Sequence, residues 1–356
     1  MQQNQNVESK PRSKPVVIDF EAKSRNIVPC LHQAFQAAGW DWSTEFLTAY
    51  TGSAFVFSMR KDGGGVWHRE NYEWSYFFEM LKLLGDNFEI FNANLKGDYA
   101  VSPEAHFKTR ADAWDAVRTA IDAGLPPIVW QLQSEEMRKA KQVQMIYARE
   151  WALPRRGSRP FMWSLIVGYN EATQMYLIDS DAAYGKYAVR WDAFGAFDPA
   201  KWFCVMIIKP QTEPFDVLKA HRTVIKRAIE AAQGKRPANT SEAAAHGLDA
   251  WKMWLDAIRK QPSDALVFAK EHAGFLRSSR GAAAVYLRAV EQHFPEHAQI
   301  PLHKATERYN EVSAAMGDLM DLDTALDLEE GVKLISKGLE HEQAALANLQ
   351  RVLDVR

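Results

Sequence analysis

The chain has 356 residues, 47 % hydrophobic and 25 % charged, with 43 basic against 45 acidic side chains and a formal net charge of -2 at pH 7. Such a length suits two hydrophobic cores better than one. The near-even charge balance argues against a nucleic-acid binder that relies on bulk phosphate neutralisation, and no apolar run is long enough to span a bilayer.

Residues 1–26 begin "MQQNQNVESKPRSKP", polar and punctuated by proline, without the apolar centre of a secretory signal; they read as a flexible leader, and a cytoplasmic location is expected. Next comes "NIVPCLHQAFQAAGW", with apolar spacing of a short helix and one of the two cysteines near its start. If the helix opens at Cys30, unpaired backbone N–H groups and the positive end of the helix dipole face the thiol and favour the thiolate. The competing reading is a small apolar residue in a core, the usual fate of a free cysteine. Cys30 and Cys204 cannot build a disulfide framework and show no metal or redox spacing.

Further along, "GSAFVFSM" reads as a strand, and "YEWSYFFEMLKLLG" places Trp74, Phe77, Phe78, Leu81 and Leu84 on one helical face before a capping glycine. Between them, "DGGGVW" lacks the pattern of a phosphate cradle. It is followed by His68, a candidate site residue because loops on rigid scaffolds often carry site residues. "TRADAWDAVRTAIDAG" repeats the helical pattern with Trp114, Val117 and Ile121. Short apolar or alternating runs follow: "FEIFNA" before this helix, then "PPIVWQLQ", "MWSLIVGY", "QMYLIDSD", "KYAVRW" and "WFCVMIIK". From Gly168 to Arg190 they predict a β-meander in a mainly antiparallel sheet. "LPRRGSRP" sets Arg155 and Arg156 just before one of these strands, where guanidinium forks suit a carboxylate or a phosphopantetheine phosphate; a solvated loop is the alternative. Asp179 ends "MYLID", as a turn former or a site residue. The adjacent "DSD" lacks the further ligands a metal site needs, so neither metal nor cofactor is expected.

Of the 12 tryptophans, all but Trp251 and Trp254 precede residue 203. Composition changes near residue 210, and the prolines of "KPQTEPFD" mark a boundary. Beyond it, "GLDAWKMWLDAIRK" and the row Leu339, Leu346, Leu349, Leu353 predict an α-helical bundle that packs within the chain or between subunits of a homo-oligomer. The expected fold class is therefore α+β over residues 27–210, followed by a helical bundle over 215–356.

The order of elements, a cysteine on a helix followed by "GWDWSTEFLTAYTGSAFVF", a mixed region, "PPIVWQLQ" and "SLIVGYNEATQMYLIDSD", resembles the papain-like cysteine peptidase fold. Within it the chain is similar to the N-terminal domain of butirosin biosynthesis protein H and to the bacteriocin-leader peptidases, from about Ile27 to Lys209. The resemblance implies a nucleophile at Cys30, an orienting acid at Asp179, and a histidine at the start of the "SLIVGYN" strand. Met162 holds the histidine's place, with Trp163 beside it, and Pro29 stands where the butirosin-type domain tends to have a histidine. A cysteine nucleophile needs a base or ion-pair partner; His68 is the first candidate, and backbone N–H groups at the Cys30 helix would form an oxyanion hole. Met162, Trp163, Arg155 and Arg156 would then contact a peptide, an acyl-carrier protein or a small molecule. The expected activity is a cysteine-dependent hydrolase or acyltransferase. The alternatives are a non-catalytic binder in the same cleft and an assembly protein built on the bundle.

Overall fold

The computed structural model describes residues 15–20, 26–59, 74–92, 103–132, 143–144, 161–179, 186–192, 204–212, 214–235, 245–260, 262–322 and 328–354. Its elements run β1 (Val16–Val17), α1 (Ile27–Ala37), α2 (Thr44–Tyr50), β2 (Ser58–Met59), α3 (Trp74–Lys82), β3 (Phe88–Asn92), α4 (Pro103–Asp122), β4 (Ile128–Leu132) and β5 (Val143–Gln144). They continue through β6 (Phe161–Asn170), β7 (Met175–Asp179), β8 (Lys186–Arg190), β9 (Cys204–Ile208), α5 (Val217–Ala232) and β10 (Ala245–His246). Four helices close the chain: α6 (Leu248–Lys260), α7 (Pro262–Val290), α8 (Glu296–Asp321) and α9 (Leu328–Asp354). Mixed helix and antiparallel sheet make the fold class α+β.

Two compact units share the chain without a single cut: Met1–Trp42 with Asp86–Glu213, and Ser43–Gly85 with Pro214–Arg356. The compositional change near residue 210 coincides with the third crossing, after Glu213. The segment 43–85, whose aromatic content matches the first part, contributes α2, β2 and α3 to the helical unit.

The first unit is built on an antiparallel sheet in the order β3, β9, β4, β6, β7, β8, β5, with β1 also on β6. The predicted meander is present as β6, β7 and β8, each paired antiparallel to the next. β4 covers the first half of one edge of β6, and β1 continues along its second half, Val17 opposite Gly168. The register slips between Ile166 and Gly168, and a Cβ on Gly168 would run into the Val16 carbonyl oxygen. That close approach is the reason for glycine there.

Side chains alternate across each strand. One face carries Val129, Ile166, Ile178, Val189 and Val205, buried against Ala113, Val117 and Ile121 of α4. The opposite rows carry Ile128, Leu165 and Met206, also fully buried, and α1 packs there on β4, β6 and β9. Burying seven of the eleven α1 residues, Ile27 to Phe35, supplies the driving force. The helix stops at a glycine in left-handed conformation, Gly39 at φ 82°. The "GWDW" stretch then anchors the chain: Trp40 donates from Nε1 to the Lys209 carbonyl at 2.9 Å, Phe35 stacks on Trp42 at 5.0 Å, and Trp40 meets both edge-on.

In the second unit, Ser43 caps α2 by accepting from the Phe46 N–H at 3.1 Å. "GSAFVFSM" is not a strand throughout. Gly52, at φ 85°, opens a short 3-10 turn over Ser53–Phe55, and only Ser58–Met59 pairs, with β10. The turn persists because the Ala54 carbonyl is held by a buried guanidinium, Arg280 Nη1 at 2.6 Å. Trp251, Trp254 and Ile258 bury one face of α6 as the spacing predicts. On α9 the buried row is Ile335, Gly338, Glu342, Ala345, Leu349 and Val352, while Leu339, Leu346 and Leu353 are half-buried at its flank. Among the described residues no helix is long and apolar enough to cross a membrane.

Candidate functional site

Cys30 does not open its helix. α1 begins at Ile27, so Cys30 is the fourth helical residue, and its N–H donates to the Asn26 carbonyl at 3.1 Å. This N–H closes the first intrahelical ring and is therefore committed rather than available to an oxyanion. Pro29, one residue earlier, has no N–H to offer. The thiol is completely enclosed, as are Leu31 and Phe35 on the same helix.

Asp179 closes β7 with 2 % of its surface exposed. Its register partners are Leu165 on β6 and Lys186 on β8, so it stands in the strand rows that look toward α1. Cys30 and Asp179 thus belong to the same side of the sheet. Position 162 is opposite Gln131 and position 163 opposite Trp130. Two-residue periodicity puts position 163, and not 162, in the row of Leu165 and Asp179. Trp163 fills that row, buried to 4 % and edge-on to Trp130 at 5.2 Å and 66°. Only the backbone of Met162 is described. His68, Arg155 and Arg156, the candidate base and the candidate anion contacts, lie outside the described residues.

The second cysteine, Cys204 at the start of β9, is fully buried, and burial pushes its thiol well above the ordinary range. Its neutral form is an ordinary core residue. Among the described residues no group of three His, Cys, Asp or Glu side chains is placed to hold a metal ion.

Two buried polar groupings in the helical unit escaped the sequence reading. Arg280 on α7 and Glu342 on α9, 1 % and 2 % exposed, form a bidentate pair: Nε to Oε2 at 2.7 Å and Nη2 to Oε1 at 2.8 Å. A signal existed. Ala273, Leu276, Arg280, Ala283 and Leu287 recur at three- and four-residue steps, as do Ile335, Gly338, Glu342, Ala345 and Leu349, so each charge interrupts an apolar row. The other grouping centres on His221 of α5. Its Nδ1 meets the Tyr286 hydroxyl at 2.8 Å, and its ring stacks on His293 at 5.5 Å. Burial, with a smaller contribution from His293, pushes the imidazole down to about 4. Burial raises the Tyr286 phenol far above its usual range. Both groups are therefore neutral, and the imidazole tautomer sets which of them donates. Both groupings join helices, Arg280 and Glu342 linking α7 to α9 and His221 and Tyr286 linking α5 to α7.

No family model matches this chain, and no curated protein matches it.

Proposed function

We propose that the first unit is a papain-like scaffold that binds a peptide, a carrier-borne group or a small molecule without cleaving it. The enclosure of Cys30 carries this reading. A nucleophile must reach an acyl carbon, whereas Cys30 is fully buried and its N–H is spent on Asn26. At the histidine's place the chain has Met162, and Trp163 beside it is buried in the row of Leu165 and Asp179. The test is covalent trapping. Incubation with a small thioester and a peptide aldehyde, followed by intact-protein mass spectrometry, leaves Cys30 unmodified; an adduct lost in Cys30→Ala overturns the proposal.

The second reading is a thiol hydrolase or acyltransferase, with Cys30 as acyl acceptor, Asp179 as orienting acid and His68 as base. The placement of Asp179 on the α1 side of the sheet favours it, because a buried carboxylate there has the position of an orienting group. On this reading His68→Ala abolishes the Cys30 adduct that the wild type forms.

A further inference from the structure

On the helical unit, α5 and the end of α9 border an open hollow of about 500 Å³ lined by Asp216, Leu218, Lys219, Arg222, Thr223, Lys226 and Leu353. Its size is that of small-molecule sites. Lys219, Arg222 and Lys226 recur at steps of three and four, so one stripe of α5 points three cations the same way. Two acidic side chains lie near the lysines, Asp216 in the lining and Glu230 one turn beyond Lys226. The Asp216 carboxylate is spent on the first turn of α5, accepting from the Lys219 N–H at 2.8 Å. Glu230 is held by Arg227 at 2.5 Å and stands 3.9 Å from the Lys226 ammonium, whose side chain is 64 % exposed. Lys219 makes no ion pair among the described residues. Arg222 gives Nη2 to the Leu353 carbonyl at 2.9 Å, which fixes the guanidinium at the wall of the hollow. The exposed Leu218, at 37 %, adds an apolar side.

We propose that this hollow binds a phosphate ester of a small organic molecule, the lysines meeting the phosphate oxygens and Leu218 and Leu353 meeting the carbon skeleton. Several cations facing one way around a concave surface raise the local potential where a dianion gains most and a monoanion least. Lysine is a competent phosphate ligand as a point charge. The positive field arises from side chains rather than from the helix end, because Asp216 already occupies the first turn.

The experiment uses the full chain and follows backbone amide resonances of Lys219, Arg222, Thr223 and Lys226 by NMR during titration with inorganic phosphate, glycerol phosphate and phenyl phosphate at constant ionic strength. The expected result is saturable shifts at these amides, with phenyl phosphate binding at least about tenfold tighter than inorganic phosphate. Lys219→Ala combined with Lys226→Ala weakens binding about tenfold or more, as losing roughly 1.4 kcal/mol does, and leaves the helical circular dichroism unchanged. Saturation by inorganic phosphate with equal affinity would overturn the ester in favour of a free-anion site. Linear, unsaturated shifts, or binding indifferent to the two lysines, would overturn the site itself.

Discussion

Replacing Glu342 by Ala in the helical unit strips the Arg280 guanidinium of both carboxylate oxygens while leaving it 1 % exposed. What remains is the Ala54 carbonyl at 2.6 Å and the Ser279 hydroxyl at 3.4 Å, both on Nη1; Nε and Nη2 lose their partners. Removing one member of a buried pair costs about 3–5 kcal/mol, mostly the penalty of an uncompensated buried charge. Glu342→Gln leaves the same charge uncompensated and turns an amide NH2 toward one guanidinium nitrogen, so it also costs about 3–5 kcal/mol. Arg280→Met with Glu342→Leu removes both charges and restores most of the loss, short of the hydrogen bond to Ala54. The measurement is urea unfolding followed by helical circular dichroism, with hydrogen exchange on α7 and α9 to assign the transition to this unit, since two units need not unfold together. If Glu342→Ala falls within about 1 kcal/mol of wild type, or the double variant is no more stable than the single, the pair does not hold the bundle as argued.

The His221 imidazole is pushed down to about 4 in the folded chain and returns to about 6.5 on unfolding. Between these values the unfolded chain binds more protons, so stability present above pH 6.5 is lost as pH falls toward 4, by about 3 kcal/mol in all. His221→Gln flattens this part of the pH dependence in urea melts; an unchanged slope would refute it. Gly168→Ala forces a Cβ against the Val16 carbonyl and lowers stability by about 1–3 kcal/mol, with loss of amide protection at Ile18, which donates to Val167; full retention of that protection would count against the close approach. Trp40→Phe removes the bond to Lys209 and costs about 1 kcal/mol, read from thermal melts against a Trp42→Phe control. Ser43→Ala removes the α2 cap and costs about 1 kcal/mol.

Periodicity made most strands legible because their residues are buried on both faces or alternate cleanly, as in "MYLID" and "CVMII", and the two-residue steps of the meander follow from its turns. It failed where distant residues decide local structure. "GSAFVFSM" has the composition of a strand, yet Arg280, more than two hundred residues away, claims the Ala54 carbonyl and stabilises a turn. The sequence places Cys30 near the start of α1 without fixing the first residue, because Pro29 suits a first turn at more than one position; the Asn26 carbonyl accepting from Cys30 fixes it. Segment 43–85 looks like the first unit by composition, since aromatic content reports burial but not which core does the burying. At the candidate site, Cys30 stands out by its place on a predicted helix, and Asp179 by its strand end together with the family resemblance. The enclosure of the thiol and the row held by Trp163 depend on sheet register, which the sequence does not display.

The central claim is that Cys30 is a packed residue and not an activated nucleophile. Its most direct test is the rate of iodoacetamide labelling at Cys30 against pH, by intact-protein mass spectrometry in a Cys204→Ser background. The account predicts labelling far slower in the folded chain than in urea, with no acceleration below the ordinary thiol range near about 8.5. Fast labelling of the folded chain with a midpoint well below that value would contradict it and return Cys30 to the role of nucleophile.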